Sequence, residues 1–166
     1  MIYIIDAYNT IHKIKILEAL LMKSLRSARD ELVRRASRLA SSRGDISKII
    51  LVFDGKSEFQ NIPQMNLPKM ELVFSDTGEG ADERIGLILE RLSKQAKKCV
   101  VSDDNCVRNH ARVYGAHVVA VSEFARLLNP ESKIKRTGRA NQENSRGLPP
   151  EIVRDITEAY RKHLGL

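Results

Sequence analysis

The sequence predicts an α/β protein with a mainly parallel central sheet of about five strands, and two observations carry that expectation. Five short apolar or β-branched runs alternate with segments of helical period: Ile2–Ile5, Ile49–Phe53, Glu71–Phe74, Cys99–Ser102 and His117–Val121. Three of these runs are continuously apolar instead of alternating, the pattern of strands covered on both faces, as in a parallel sheet.

The elements follow in order. Leu17, Leu20, Leu21, Leu25, Ala28, Leu32 and Leu39 repeat at helical spacing, which predicts one long amphipathic helix over about 16–42, stopped by Gly44. Ile85, Ile88, Leu89, Leu92 and Ala96 predict a second over about 82–97. A third is expected over about 104–114, ending at Gly115, and a short fourth from Ser122, read as its N-cap, to about Leu128. Gly55, Pro63 and Pro68 make 54–70 an irregular loop. Lys133, Lys135, Arg136, Arg139 and Arg146, mixed with Asn, Gln, Gly and Pro, make about 129–150 a flexible basic segment. Pro149-Pro150-Glu151 then opens a last helix over about 151–163, too short to fold alone, so residues 1–166 are expected to form one domain.

Composition narrows the classes of function. Apolar residues make up 42% and charged residues 30% of 166, as in a globular protein that needs no disulfide framework. The only cysteines, Cys99 and Cys106, read as reduced thiols, and no Cys/His cluster suggests zinc. Aromatic residues are few and Trp is absent, which argues against a surface that stacks many bases. The net charge of +7 and pI near 9.6 favour a polyanionic partner. The chain opens directly on a strand, and no apolar run approaches the roughly 20 residues that span a bilayer, so a cytoplasmic protein with no membrane partner is expected.

In an open parallel sheet, sites form beyond the carboxyl ends of the strands. Here those ends carry acids: Asp6 after Ile5, Asp54 after Phe53, Asp76 after Phe74-Ser75, and Asp103-Asp104 after Ser102. Asp82-Glu83 opens the helix that follows the Thr77-Gly78-Glu79-Gly80 turn. Each acid also has a plain structural role open to it. Asp82 suits a helix N-terminus, Asp54-Gly55 a turn, and one of Asp103 and Asp104 a helix cap. Asp76 reads as a solvated loop residue and is given no role. Taken together, Asp6, Asp54, Asp82 and Asp103 fall at one edge from four separate segments. Without a cation such a set would repel itself strongly, and with Asn9 it offers the oxygen ligands that Mg²⁺ or Mn²⁺ takes. An acidic hollow in a basic body suits a phosphodiester substrate.

The ordered set Asp6-Ala7-Tyr8-Asn9, Phe53-Asp54-Gly55, Ala81-Asp82-Glu83-Arg84-Ile85 and Val101-Ser102-Asp103-Asp104-Asn105 resembles the NYN domain of PIN-like nucleases, most closely its YacP-like bacterial ribonuclease branch. The resemblance covers about residues 1–128. It implies a PIN-like three-layer α/β/α sandwich, hydrolysis supported by one or two divalent metal ions, and RNA as substrate. It implies Asp6 and Asp103 as central metal ligands and Asp82 as completing the acidic cluster. Asn9 would orient a ligand, a water or the scissile phosphate. Asp54 would be an outer or second-metal ligand, and Asp104 a further candidate ligand that also suits a cap.

The expected reaction is endonucleolytic hydrolysis of RNA, with in-line attack by a metal-activated water leaving a 5′-phosphate. Endonucleolytic action and the choice of RNA come from the resemblance. No histidine base or organic cofactor is required, and His12 is read as starting the loop to the first helix. Candidate RNA contacts are Lys56, Arg84 and Arg108, with Lys133, Lys135, Arg136 and Arg139 in the basic segment; each also reads as a surface charge. The ribosome is a candidate partner. The competing readings are a non-catalytic RNA-binding module on the same fold and a PIN-like DNA nuclease. A phosphoacceptor receiver domain lacks its paired acids and its lysine here, and Tyr8 stands where a haloacid-dehalogenase-type phosphatase needs its second Asp.

Overall fold

The computed structural model describes residues 1–55, 67–76 and 78–129. The basic segment expected beyond Asn129 and the helix expected over 151–163 lie outside them, as do Lys56, Lys133, Lys135, Arg136 and Arg139. The described chain runs β1 (Ile2–Asp6), α1 (Ala7–Lys13), α2 (Lys15–Leu21), α3 (Leu25–Ser42), β2 (Lys48–Phe53), β3 (Met70–Phe74), α4 (Ala81–Arg91), β4 (Lys98–Val101), α5 (Asn105–Val113), β5 (His117–Val119) and α6 (Val121–Leu128). No helix among these residues is long and apolar enough to cross a membrane.

All strand pairings are parallel, in the order β3-β2-β1-β4-β5. Alternate residues of each strand enter opposite cores. Tyr3, Ile5, Ile49, Leu51, Phe53 and Val101 pack against α1, α2, α3 and α6 through Ile11, Leu17, Leu32 and Phe124. Ile4, Ile50, Val52 and Val100 pack against α4 and α5 through Ile85, Leu89, Val107 and Ala111. The result is the expected three-layer α/β/α sandwich. Its central strands are continuously apolar because both faces are covered.

The expected single helix over 16–42 is two helices, and a further helix precedes them. Asp6 ends β1 and caps α1 at once, accepting the Asn9 N–H at 3.1 Å. His12 therefore lies in the last turn of α1 and not in a loop. Ile14, extended at φ −96° and ψ 109°, separates α1 from α2. Ser24 caps α3 by accepting the Ser27 N–H, and Met22, 90% exposed, marks the break before it. The apolar period runs through that break because α2 and α3 bury Leu17 and Leu32 in the same core. Two further expectations shift. The second long helix ends at Arg91, before the 93–97 turn, and α6 starts after Ala120 with no side-chain cap, so Ser122 is not its N-cap.

Candidate active site

The order of strands reverses between β1 and β4. The chain winds outward through β2 and β3, then returns to place β4 on the other side of β1. The crevice beyond the carboxyl ends of β1 and β4 is where ligands enter such sheets. An open hollow of about 540 Å³ lies there, lined by Asp6, Tyr8, Asn9, His12, Asp54, Gly80, Ala81, Asp82, Asp104, Cys106 and Val107.

Register sets the depth of the first two acids. Asp6 lies level with Val52 of β2, and Asp54 follows Phe53, two residues further out. At roughly 3.3 Å per residue, Asp54 stands about 7 Å beyond the Asp6 level along the strand direction. Asp6 is 8% exposed, and its Oδ1 accepts the Asn9 N–H while its Oδ2 accepts the Ser102 hydroxyl at 3.2 Å. Burial pushes the Asp6 carboxyl above the usual carboxylate range. The two hydrogen bonds oppose that shift, and the charges of Asp104 and Asp54 add to it.

The Asp103-Asp104 pair divides its work. Asp104 lines the hollow and caps α5, its Oδ1 accepting the Cys106 and Val107 N–H groups at 2.7 and 3.2 Å. Asp103 is absent from the lining. Its Oδ1 accepts the Val121 N–H at the start of α6, and its own N–H donates to Asn9 Oδ1. Asn9 thus ties the carboxyl end of β4 to the first turn after β1.

Asp82 enters from the first turn of α4. A Cβ on Gly80 would lie 2.4 Å from Asp82 Oδ1, so the Asp82 carboxylate folds back over a space that only glycine leaves open. Gly80→Ala must move this carboxylate. Because the displaced atom is the end of a side chain, the melting temperature is expected to change little while the RNA cleavage that the motifs imply is expected to fall; an unchanged cleavage rate would show that the Asp82 position is immaterial.

Arg84 and Arg108, the two described cations among those expected to contact RNA, do not line this hollow. Arg84 holds Asp76 Oδ2 at 2.7 Å and Glu79 Oε2 at 2.6 Å, closing the turn that delivers Asp82. Asp76 is therefore an ion-pair partner and not simply solvated. Arg108 is half-buried on α5 and does not line the hollow. Sequence reasoning also assigned no role to Ser75 and Ser102, both fully buried, or to Tyr8, Gly80 and Cys106. The available signal was position: a serine directly follows each of two apolar runs.

The donor set is that of a hard cation, with carboxylate oxygens from Asp6, Asp54, Asp82 and Asp104 facing one hollow. Among the described residues no three His, Cys, Asp or Glu side chains come close enough to enclose a metal by themselves.

Fold and hollow together define a doubly wound α/β protein with an acidic crevice at its switch point. The chain belongs to the YacP-like NYN domain family, whose model matches residues 3–163. It is similar to the crystal structure of Rae1 (YacP) from Bacillus subtilis, with a TM-score of 0.66 and 22% identity, covering 99% of this chain and 88% of that one. A single-substitution mutant of the same protein matches with a TM-score of 0.66 and 24% identity, covering 89% of this chain and 86% of that one. At that identity the likeness speaks for the fold alone, the three-layer α/β/α sandwich described above. No curated protein matches the chain.

Proposed function

We propose that this protein is a divalent-metal-dependent endoribonuclease that hydrolyses RNA in the cytoplasm, with residues 1–166 acting as one unit. The observation that carries the reading is the convergence of Asp6, Asp54, Asp82 and Asp104, from four separate segments, on one hollow at the switch point. Carboxylates so placed repel phosphate and one another unless a cation lies between them. The net charge of +7 favours a polyanionic substrate, RNA on the ribosome included.

Asp6 and Asp104 would hold Mg²⁺ or Mn²⁺ at the inner position, with Asp82 beside them and Asp54 further out, partly through water. When bound, such an ion polarises the phosphoryl oxygens and lowers the pKa of a coordinated water toward neutrality. The chain's own residues do the rest. Asn9 and Ser102 fix the orientation of Asp6, and Asn9 fixes the Asp103 backbone. Asp103 positions Asp104 by anchoring that loop to α6. Tyr8 and His12, on the lining, face the space a substrate would occupy.

The test is incubation of an end-labelled single-stranded RNA with the purified full chain, in Mg²⁺ or Mn²⁺ and after chelation. Cleavage is expected only with the metal. Binding without cleavage in either metal would make the protein an RNA-binding module, and equal cleavage in chelator would remove the metal from the account.

A further inference from the structure

We propose that Ser75 and Ser102 are a matched pair of positioning residues, each fixing one of the carboxylates that the metal-hydrolase reading places around the cation; the inference deepens that reading and rests on it. The sheet register makes the match. Ile5 is level with Val101, so the next residues, Asp6 and Ser102, stand side by side on neighbouring strands. Phe53 is level with Phe74, so Asp54 and Ser75 stand side by side one strand pair away. Each serine directly follows a strand that flanks the central β1-β2 pair and reaches inward to the neighbouring acid.

The hydrogen bonding is the same in both places. The Ser102 hydroxyl donates to Asp6 Oδ2 at 3.2 Å and accepts the Asp104 N–H at 3.1 Å. The Ser75 hydroxyl donates to Asp54 Oδ1 at 2.9 Å and accepts the Gly55 N–H at 2.9 Å. A serine hydroxyl has a single proton to donate. Because a backbone N–H points at each oxygen, that proton is directed at the carboxylate. Both serines are 0% exposed, so water does not compete for either hydroxyl.

The consequences differ in detail. Ser102 links the Asp104 backbone to the Asp6 side chain, so the inner two carboxylates move as one unit. Ser75 holds one oxygen of the outer Asp54, an exposed residue whose other oxygen accepts no hydrogen bond among the described residues. Gly55, at φ +81°, is in the left-handed region, which lets its N–H turn back to Ser75. Without Ser75 the Asp54 side chain would be free to turn to solvent.

The experiment compares full-length wild type with Ser75→Ala, Ser75→Thr, Ser102→Ala and Ser102→Thr. Mn²⁺ affinity of the RNA-free protein, melting temperature, and kcat and KM on a single-stranded RNA are measured for each. Loss of a group that orients a metal ligand typically costs about 10–100-fold in affinity or activity. Each Ala variant is expected to weaken Mn²⁺ binding about tenfold and lower kcat similarly, with KM held, and each Thr variant to recover most of both. Mn²⁺ affinity and kcat that are unchanged in the Ala variants would overturn the proposal. So would a loss that follows the melting temperature and is equal in Ala and Thr. If the wild type binds Mn²⁺ and the Ala variants bind it weakly, the proposal stands even where RNA is not cleaved, in which case the substrate reading fails alone.

Discussion

Asp6→Asn is expected to abolish RNA cleavage and, at neutral pH without metal, to raise the melting temperature. Both effects come from one carboxyl. Its burial in the hollow holds it above the usual carboxylate range, and the charges of Asp104 and Asp54 add to that. An acid whose pKa is raised by folding binds its proton more tightly in the folded chain. Stability therefore falls as pH rises from the unfolded carboxylate value, about 3.9, through the raised folded value. Asparagine has no charge to desolvate and its oxygen remains a good N-cap for α1, while its NH2 faces Ser102, whose hydroxyl must then accept instead of donate, which offsets part of the gain. The gain over wild type should be full at neutral pH and vanish below about pH 4, where Asp6 is protonated in both states. For a chain of this length each kcal/mol corresponds to roughly 2–4 °C. Added Mg²⁺ should reverse the order, because only the wild type gains stability from binding it. Thermal melts across pH, with and without metal, measure this; a variant less stable than wild type at neutral pH in chelator would contradict the account.

The second large effect separates neighbouring residues. Asp104→Asn keeps a side chain able to cap α5 but removes the charge from the hollow, and cleavage is expected to fall by more than the roughly 100-fold at the upper end for groups that merely orient a metal ligand. Asp103→Asn keeps an oxygen for the Val121 N–H, and the loss is expected to stay within about tenfold. Steady-state rates of the two variants, with melting temperatures as controls, decide the assignment. A severe loss in Asp103→Asn with an active Asp104→Asn would return the inner ligand to Asp103.

That assignment shows where the sequence could be read and where it could not. The sheet was legible because the central strands are covered on both faces and leave continuous apolar runs such as Ile49–Phe53. The edge that gathers acids was legible because four of the five runs are followed by one. Which of two adjacent acids faces the hollow was not, since either satisfies a cap and the choice depends on Asn9 and Val121, residues 94 and 18 positions away. The α2–α3 break was hidden by a shared core, although Ser24 carried the signal of a cap. Arg84 read as a phosphate contact because its pairing with Asp76 and Glu79 depends on how the intervening turn folds. The two serines were hidden for a related reason: their role exists only between strands.

The central claim, that the acidic hollow directs a solvent water onto a phosphodiester with metal assistance, is tested most directly by cleaving RNA in ¹⁸O-water and reading the product ends by mass spectrometry. The account predicts a 3′-hydroxyl and a 5′-phosphate carrying one solvent oxygen, formed only with Mg²⁺ or Mn²⁺ and lost in Asp6→Asn. A 2′,3′-cyclic phosphate with a 5′-hydroxyl, or cleavage that survives chelation, would contradict it.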